Sequence, residues 1–204
     1  MKIAIIVLGK PSSGKDTQAE LLAKRFNLVS AKSSVLIKQE LYKRSKGKKT
    51  ATIAGKKFNL IKERKRHETG LLNTPYFVIA LIERKIKNTA KRGKGIVFSG
   101  SARTLPEAKE EIVLLDKLYG KNRSFYLYLD IPNKIAVQRA VLRSREDGLD
   151  KLIKKRIKVF YKETGPVLKL LKQQKRLVVV DGRPTIPVIH KNILRILKRK
   201  LAQY

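Results

Sequence analysis

A glycine-rich loop near the start of the chain constrains the fold more than any other feature. Residues 2–8 (KIAIIVL) form an apolar run, and residues 9–17 (GKPSSGKDT) follow it directly and open a segment with helical periodicity. Two glycines let the backbone curl so that successive N–H groups point at phosphate oxygens, and the following helix adds its positive N-terminus. Strand, loop and helix in this order predict a site for the phosphates of a nucleoside triphosphate. An ordinary glycine-rich turn is the alternative interpretation.

The loop departs from the strict phosphate-binding pattern at one position. That pattern has Ser or Thr directly after the lysine, whereas Asp16 stands between Lys15 and Thr17 in this chain. Lys15 supplies a mobile positive charge for the outer phosphates. The loop residues that we expect to contact the triphosphate are Gly9, Ser12, Ser13, Gly14, Lys15, Asp16 and Thr17.

Length and composition predict one globular domain. With 204 residues, 42% of them hydrophobic, the chain can bury a substantial core. It contains no cysteine, which excludes disulfide bonds and thiolate metal sites and favours a reducing cytoplasm. The first apolar run ends after Leu8 and is too short to span a membrane. We therefore expect a soluble, cytoplasmic protein without a membrane span.

The charge of the chain is strongly unbalanced. Lys and Arg number 49 against 16 Asp and Glu, which gives a formal net charge of +33. Such a charge attracts nucleic acid, ribosomes and anionic membrane surfaces, because neutralising phosphates releases counterions and gives salt-sensitive binding. Non-specific binding of RNA or another polyanion is therefore one hypothesis, and compositional drift without a partner is the other.

Further apolar runs alternate with helical patterns along the chain. Pro75 is placed to start a helix through Ile86, and an apolar stripe from Ile189 to Leu201 marks the last helix. Alternating strands and helices predict an α/β fold with a doubly wound parallel sheet, whose ligands lie beyond the carboxyl ends of the strands. The later runs that we interpret as buried parallel strands are residues 95–98, 125–129 and 177–180.

One long segment does not fit this alternation. Residues 38–67 are polar and basic, and we interpret them as an inserted lobe or mobile arm rather than as a sheet element. This segment is our first choice for a contact with a polyanion. The alternative is a solvated face or a disordered loop.

Residues 14–23 (GKDTQAELLA) resemble the opening of adenylate kinase and its nucleoside monophosphate kinase relatives. Later segments agree with that family in order and spacing over nearly the whole chain. Residues 99–104 (SGSART) stand where the family has D-G-F-P-R-T. The other matching segments are residues 67–72 with 78–79 in the monophosphate lobe, 130–132 before the lid, and 180–182 in the adenine-contacting turn.

The resemblance implies a fold and a reaction. The fold would be a P-loop NTPase-type, five-stranded parallel sheet flanked by helices, formed as a single domain by residues 1–204. Residues 32–74 would be the monophosphate-binding lobe with its basic insertion, and residues 140–149 a short lid. The reaction would transfer the terminal phosphoryl group of ATP to a nucleoside monophosphate, with magnesium, in a monomer.

The resemblance also implies roles for individual residues. Lys15 would hold the ATP phosphates and Arg103 the phosphate of the monophosphate. Arg139 would stack on the adenine of ATP, beside the turn that contains Gly182. The arginines expected around the transferring phosphoryl group are Arg143, Arg145 and Arg156. The residues expected to contact the monophosphate are Ser33, Lys38, Gly100, Arg103 and Glu107.

Several positions depart from the family pattern. Lys38 replaces an arginine, which keeps the charge but loses the bidentate fork. Val35 and Ser99 replace two carboxylates that hold magnesium through its water shell in the family. Asp16 is a candidate to take over part of that role with Thr17, and the alternative is that Asp16 only favours the dipole of its helix.

Base selection is a second departure, because Glu107 stands where adenylate kinases use a glutamine to recognise the adenine of AMP. A carboxylate accepts a hydrogen bond from an exocyclic amine but cannot donate one to a ring nitrogen. This is compatible with adenine or cytosine and unfavourable for uracil. AMP is the acceptor that the resemblance favours.

Two other functions compete with this prediction. The first is an RNA- or ribosome-associated nucleotide-binding protein on the same fold, favoured by the extreme charge and the lost carboxylates. The second is a kinase that acts on another small phosphate ester. The arginines kept at the family spacings favour the nucleoside monophosphate kinase.

Overall fold

The computed structural model describes residues 2–143 and 149–202 of the chain. Its strands are β1 (Ala4–Gly9), β2 (Val29–Lys32), β3 (Thr50–Ile53), β4 (Lys56–Asn59), β5 (Ile96–Ser99), β6 (Ser124–Asp130) and β7 (Leu177–Asp181). Its helices are α1 (Lys15–Phe26), α2 (Ser33–Gln39), α3 (Leu60–Glu68), α4 (Pro75–Lys91), α5 (Leu105–Tyr119), α6 (Asn133–Arg143), α7 (Leu149–Val159), α8 (Gly165–Gln173) and α9 (Ile186–Leu201). Single π-helical turns, Glu40–Arg44 and Phe160–Thr164, follow α2 and α7.

Five strands form a parallel sheet in the order β2-β5-β1-β6-β7. The central strand β1 is buried at all six positions, as expected for a parallel strand covered by helices on both faces. The structure confirms the predicted five-stranded α/β sheet. Four of its strands coincide with the apolar runs, and the fifth, β2, lies at an edge, where its short VSAK sequence carries little apolar signal.

Alternate side chains of β1 enter two separate cores. Ile5 and Val7 pack with Leu22 of α1 and with the apolar stripe of α9. Ile6 and Leu8 face the opposite way and pack with residues of α4, α5 and α8. Each fully buried aliphatic side chain contributes about 1.5–3 kcal/mol, so these two cores hold the carboxyl end of β1 in place.

Two helix boundaries illustrate how local sequence sets the elements. The segment 15–26 predicted to be helical is α1, which ends where Asn27 takes a left-handed conformation with φ of 51°. The helix that starts at Pro75 continues beyond Ile86 to Lys91, and the face that is buried at Ile86 stays buried at Thr89. None of the helices in the described part of the chain is long and apolar enough to cross a membrane.

The prediction that residues 38–67 contain no sheet element is wrong. β3 and β4 pair as an antiparallel hairpin, and its turn places Ala54 and Gly55 at φ values of 48° and 78°. Apolar residues lie between the lysines of the hairpin: Ile53 is buried, and the ring of Phe58 meets that of Phe77 edge-on at 5.5 Å. The lysines face solvent while these apolar residues bind the hairpin to α4.

Candidate active site

The loop between β1 and α1 has the conformation that phosphate binding requires. Ser12 and Gly14 have positive φ values of 60° and 90°, and the Ser13 N–H donates to the Lys10 carbonyl at 3.2 Å. Within the described residues, no side chain caps the N-terminus of α1. The N–H groups of its first turn are therefore left for a ligand, and the dipole of the helix favours an anion there.

Glycine is required at the start of this loop by close packing. A Cβ atom at Gly9 would collide with the Ser13 side chain and come within 3.2 Å of the Leu129 carbonyl oxygen. Ser13 is buried, and its Oγ has no hydrogen-bond partner among the described residues. Ser12 is half-buried beside it. The loop is therefore packed tightly onto the carboxyl end of the sheet.

Two lysines of the loop have different surroundings. Lys15 donates from Nζ to the Lys10 carbonyl at 3.5 Å, so that its ammonium group lies over the loop. Lys10 is buried, donates from Nζ to the Ile131 carbonyl at 2.6 Å and forms an ion pair with Asp130 at 3.3 Å. Its Nζ also lies 5.4 Å from the ring centre of Tyr161. Lys10 thus anchors the loop to the end of β6.

Arg103 is held in place by three hydrogen bonds. Its Nε donates to the Gly100 carbonyl at 2.7 Å, and its backbone N–H donates to Glu107 Oε2 at 2.9 Å. Thr164 Oγ1 donates to the Arg103 carbonyl at 3.0 Å. Gly100 has a φ of 73°, and a Cβ there would lie 2.7 Å from Nη2 of Arg103. The half-buried guanidinium therefore lies directly against Gly100.

The charges around Arg103 come from distant parts of the chain. Burial lowers the pKa of Arg103, and the positive charge of Arg156 lowers it further. The carboxylates of Glu107 and Asp16 act in the opposite direction and raise the pKa of Arg103. These electrostatic interactions show that Asp16 of α1 and Arg156 of α7 both lie near enough to Arg103 to change its pKa. Arg156 itself is exposed to solvent.

The structure brings together some, but not all, of the predicted monophosphate-binding residues. Ser33 is buried and its Oγ donates to the Gly100 carbonyl, the same oxygen that Arg103 Nε contacts. Glu107 is buried beside Arg103, and this burial raises the pKa of its carboxyl. Lys38 is exposed on α2, and no contact of its side chain with the other four is observed in the described part of the structure.

Arg139 and Gly182 lie together, although they are far apart in the sequence. Arg139 donates from Nη1 to the Gly182 carbonyl at 2.9 Å and from Nη2 to the Arg183 carbonyl at 3.0 Å. The Gly182 N–H donates to the Asp130 carbonyl at 2.8 Å, and a Cβ at Gly182 would lie 2.8 Å from Ile131 Cγ2. This close approach explains the glycine at the turn after β7.

Two predicted catalytic arginines cannot be placed. Arg145 lies outside the described residues, as do the other residues of the segment 144–148 in the predicted lid. Arg143 is the last residue of α6, and its side chain lies outside the described part of the structure. The roles of both arginines therefore stay predictions.

The oxygen ligands available beside the phosphate-binding loop are compatible with magnesium binding. The described residues contain no group of three or more His, Cys, Asp or Glu that could enclose a metal ion. Asp16 is exposed and Thr17 half-buried in the first turn of α1, next to Lys15. Magnesium keeps several water ligands and is bound by one or two protein oxygens plus substrate phosphates. The carboxylate and hydroxyl oxygens of these two residues fit an ion held in that way.

Sequence analysis did not single out two residues that the structure places near the site. Lys10 anchors the phosphate-binding loop, and a lysine in a polar loop carries no signal of burial. Glu111 of α5 is buried and accepts a hydrogen bond from Ser101 Oγ at 2.9 Å. It lies on the helical stripe of Ala108, Ile112 and Leu115, and this spacing could have revealed its burial.

The fold and the site together define a class of protein. A parallel sheet with a phosphate-binding loop after its central strand, and with arginines facing that loop, is the arrangement of a P-loop protein that handles phosphoryl groups. The sequence matches the model of the family described as adenylate kinase over residues 7–176. The chain therefore belongs to the adenylate kinase family.

Curated relatives support this assignment along the full chain. An adenylate kinase 2 from Nostoc sp. is 25% identical over 198 residues, covering 95% of this chain and 97% of that protein. An adenylate kinase from Prochlorococcus marinus is 26% identical over 202 residues, covering 99% and 100%. An adenylate kinase from Buchnera aphidicola subsp. Cinara cedri is 27% identical over 217 aligned positions, covering 93% and 94%.

Family membership decides between the predicted functions. The chain is an ATP-dependent nucleoside monophosphate kinase, as the sequence predicted, and the family and its relatives do not favour the RNA- or ribosome-associated alternative. Its ligands are nucleotides.

Proposed function

We propose that this enzyme transfers the γ-phosphoryl group of ATP to AMP, reversibly giving two molecules of ADP. The observation that carries the proposal is that Asp16, in the first turn after the phosphate-binding loop, and Arg156 of α7 both act electrostatically on Arg103, which is held against Gly100. The names of the relatives support adenine as the base of the acceptor. We also infer a cytoplasmic monomer, while polyanion binding through the basic surface stays a prediction.

In the proposed reaction, a phosphate oxygen of AMP attacks the γ-phosphorus of ATP, and the bond to the bridging oxygen of ADP breaks. The loop N–H groups and Lys15 hold the ATP phosphates, and Arg103 holds the phosphate of AMP. Arg156 neutralises the charge of the transferring group together with the predicted contributions of Arg143 and Arg145. The protein therefore positions the two nucleotides and balances charge.

The ATP side of the proposal includes a metal. Magnesium, when bound, would neutralise negative charge on the phosphates, and Asp16 and Thr17 are the residues that would hold it. Arg139 would cover the adenine of ATP at the turn that contains Gly182. The Arg139 guanidinium donates to two carbonyls of that turn, which preorganises it at the proposed position.

A coupled assay with ATP, magnesium and a panel of AMP, CMP, GMP and UMP tests the proposal. We expect turnover with AMP, and a loss in kcat of about 10²–10³ in Lys15→Met, because one positioned positive charge is removed from the transition state. Lys24→Met is the matched control, since Lys24 is exposed in the last turn of the same helix. Turnover with none of the monophosphates, or equal activity of the two variants, would contradict the proposal.

A further inference from the structure

Residues 40–67 carry a large excess of positive charge that the fold leaves exposed. They include eleven Lys and Arg residues and two carboxylates. Nine of the eleven side chains are exposed to solvent, and none of these nine forms a hydrogen bond or an ion pair within the described part of the chain. We call these nine side chains the basic face: Lys43, Arg44, Lys46, Lys48, Lys49, Lys56, Lys57, Lys62 and Lys65.

The two carboxylates of this segment are buried and do not offset the basic face. Glu40 is 3% exposed, and it forms an ion pair with Arg84 of α4. Glu63 is also 3% exposed, and its Oε2 accepts a hydrogen bond from Asn73 Nδ2 at 2.8 Å. Folding therefore removes negative charge from the surface of the segment and leaves its positive charge in solvent.

Arg64 of α3 fixes three parts of the segment against one another. Its guanidinium is half-buried and donates to the Leu41 carbonyl at 3.1 Å, and also to the Ser45 and Lys48 carbonyls. Leu41 belongs to the π-helical turn, and Ser45 and Lys48 lie between that turn and β3. The charged side chains of the turn, of the connection to β3 and of α3 therefore lie close together on a hydrogen-bonded backbone.

The outer face of the β3–β4 hairpin is polar. Ile53 and Phe58 point toward α4, so their neighbours Thr52 and Lys57, which pair across the hairpin, point to the other side and are exposed. Thr50, two residues before Thr52, is exposed on the same face. Hydroxyl and ammonium groups suit the phosphates and sugars of a polynucleotide, whereas insertion into a lipid surface requires exposed apolar side chains. This face therefore fits a polynucleotide better than a lipid surface.

An exposed aromatic ring lies among these cations. Tyr42 is 37% exposed and directly precedes Lys43 and Arg44. Its ring centre lies 5.6 Å from that of His67, and its hydroxyl contacts His67 Nδ1 and the exposed carboxylate of Glu68, both at 3.2 Å. Unpaired bases stack on such rings while positive groups hold the neighbouring phosphates. An aromatic ring held in place beside positive charges is thus an arrangement that suits a single strand.

We propose that the basic face binds a single-stranded polynucleotide, with its positive side chains on the phosphates and the Tyr42 ring against one base. The bases of a duplex are already paired and stacked, so a duplex offers no base to Tyr42, and a lipid surface has none. This binding is additional to the kinase activity and uses none of the residues assigned to phosphoryl transfer. It therefore does not rest on the proposed function.

The contribution of the phosphates is tested by combining Lys46→Gln, Lys48→Gln and Lys49→Gln in one chain. Fluorescence anisotropy measures the Kd of a labelled RNA single strand of about 12 nucleotides, a length within the usual site size of single-strand binding folds. The loss of three phosphate contacts is expected to weaken binding about 10–100-fold at about 0.1 M salt, and to reduce the slope of log Kd against log salt by about two.

A second triple variant removes the same charge from another part of the surface. Lys109 of α5 and Lys169 and Lys172 of α8 are exposed, and glutamine at these three positions leaves the basic face intact. We expect this control to keep the affinity and the salt slope of the wild type. Equal losses in the two triple variants would mean that the total charge of the chain attracts the RNA, and they would overturn the proposal.

Stacking is tested separately with Tyr42→Leu and Tyr42→Phe. Tyr42→Leu is expected to weaken binding of the single strand about 5–100-fold without changing the salt slope, because stacking on a base releases no counterions. Tyr42→Phe keeps the ring and is expected to keep the affinity, and a duplex of the same sequence is expected to bind both variants equally. No loss in Tyr42→Leu, or the same loss for the duplex, would overturn the assignment of a single strand.

Lys15→Met separates this proposal from the proposed function. The variant is expected to lose kinase activity and to keep its affinity for RNA, since Lys15 lies outside the basic face. RNA binding by the basic face in a chain that phosphorylates no monophosphate would support this proposal and contradict only the proposed function. A loss of RNA affinity in Lys15→Met would place the strand at the phosphate-binding loop and overturn the proposal.

Vesicles that contain phosphatidylserine test the lipid alternative. We expect them to bind the wild type more weakly than the RNA does. Vesicle binding that is tighter than RNA binding, and that is lost when Lys46, Lys48 and Lys49 are replaced, would overturn the proposal in favour of a lipid surface.

Discussion

The two sides of Arg103 differ in exposure and in the groups that they present. On the phosphate side, the loop of residues 9–17 presents backbone N–H groups and Lys15 at a surface that solvent reaches. On the other side, called the base side because Glu107 is predicted to contact the acceptor base, α5 buries Glu107 and Glu111. The comparison shows that a chain of net charge +33 still buries two carboxyl groups beside Arg103. This burial raises the pKa of both carboxyl groups.

The two sides also differ in what holds them in place. The phosphate side is anchored over a long distance in sequence by Lys10, which binds the Ile131 carbonyl. The base side is organised locally, by hydrogen bonds from Arg103 to Glu107 and from Ser101 to Glu111. Arg103 belongs to both sides, with its guanidinium on the phosphate side and its N–H on the base side. Variants that affect one side alone therefore test whether the two sides act separately.

The largest expected effect is on the phosphate side, in Gly100→Ala. A Cβ at Gly100 would lie 2.7 Å from Arg103 Nη2, so the guanidinium must move, and a displacement of about 1 Å costs about 10²-fold in activity. Both the positive φ of 73° and the new Cβ also reduce the free energy of unfolding, by about 1–2 kcal/mol. The measurements are kcat/KM for AMP and denaturant unfolding.

Gly93→Ala is the matched control for this variant. Gly93 has a similar φ of 68°, but a Cβ there would meet nothing within 4 Å. The control is expected to lose a similar free energy of unfolding and to keep its activity. Equal activity losses in the two variants would show that backbone strain, rather than the position of Arg103, is responsible.

The next largest effect is expected on the base side, where the free energy of unfolding should depend on pH. The pKa of Glu111 is raised from 4.5 to about 8 in the folded chain, so between these values the unfolded chain binds fewer protons than the folded one. The free energy of unfolding therefore falls with rising pH, by about 1.4 kcal/mol per pH unit from this group. Its contribution is fully present below pH 4.5 and lost as the pH rises through about 8.

Glu111→Gln removes this slope because an amide does not titrate. Urea unfolding at pH 5, 6, 7 and 8 is expected to show the variant gaining stability relative to the wild type at each step, until the difference levels off near pH 8. Glu110→Gln, at an exposed position, is expected to keep the wild-type slope. Parallel curves for wild type and Glu111→Gln would contradict a protonated Glu111.

The smallest effect concerns Asp16, the carboxylate that follows Lys15 on the phosphate side. If it helps to hold magnesium, Asp16→Ala is expected to raise the magnesium concentration for half-maximal rate about fivefold, close to 1 kcal/mol. The measurement is initial rate against free magnesium at fixed ATP. Glu20→Ala is the control, since Glu20 is exposed one turn further along α1 and pairs with Lys32. The same magnesium requirement in both variants would leave Asp16 with a helix-dipole role only.

Much of the fold and part of the site could be predicted from the sequence. The apolar runs marked four of the five sheet strands, since buried parallel strands are apolar on both faces. The β3–β4 hairpin was missed because its apolar residues, such as the buried Ile53 and the half-buried Phe58, stand among lysines that dominate the composition. The roles of Arg143 and Arg145, and of the residues that contact the monophosphate, stay predictions.

The phosphate-binding loop, the helix that follows it and the family could be predicted from the sequence alone, because they depend on residues that are neighbours along the chain. The folded structure was needed to show that Lys10 anchors the loop to Ile131, that Arg103 lies against Gly100, and that burial raises the pKa of Glu111. These properties depend on burial, because the atoms packed around Lys10, Arg103 and Glu111 keep water away from them. Segments that are distant in the sequence supply those atoms, so no local sequence pattern predicts the burial.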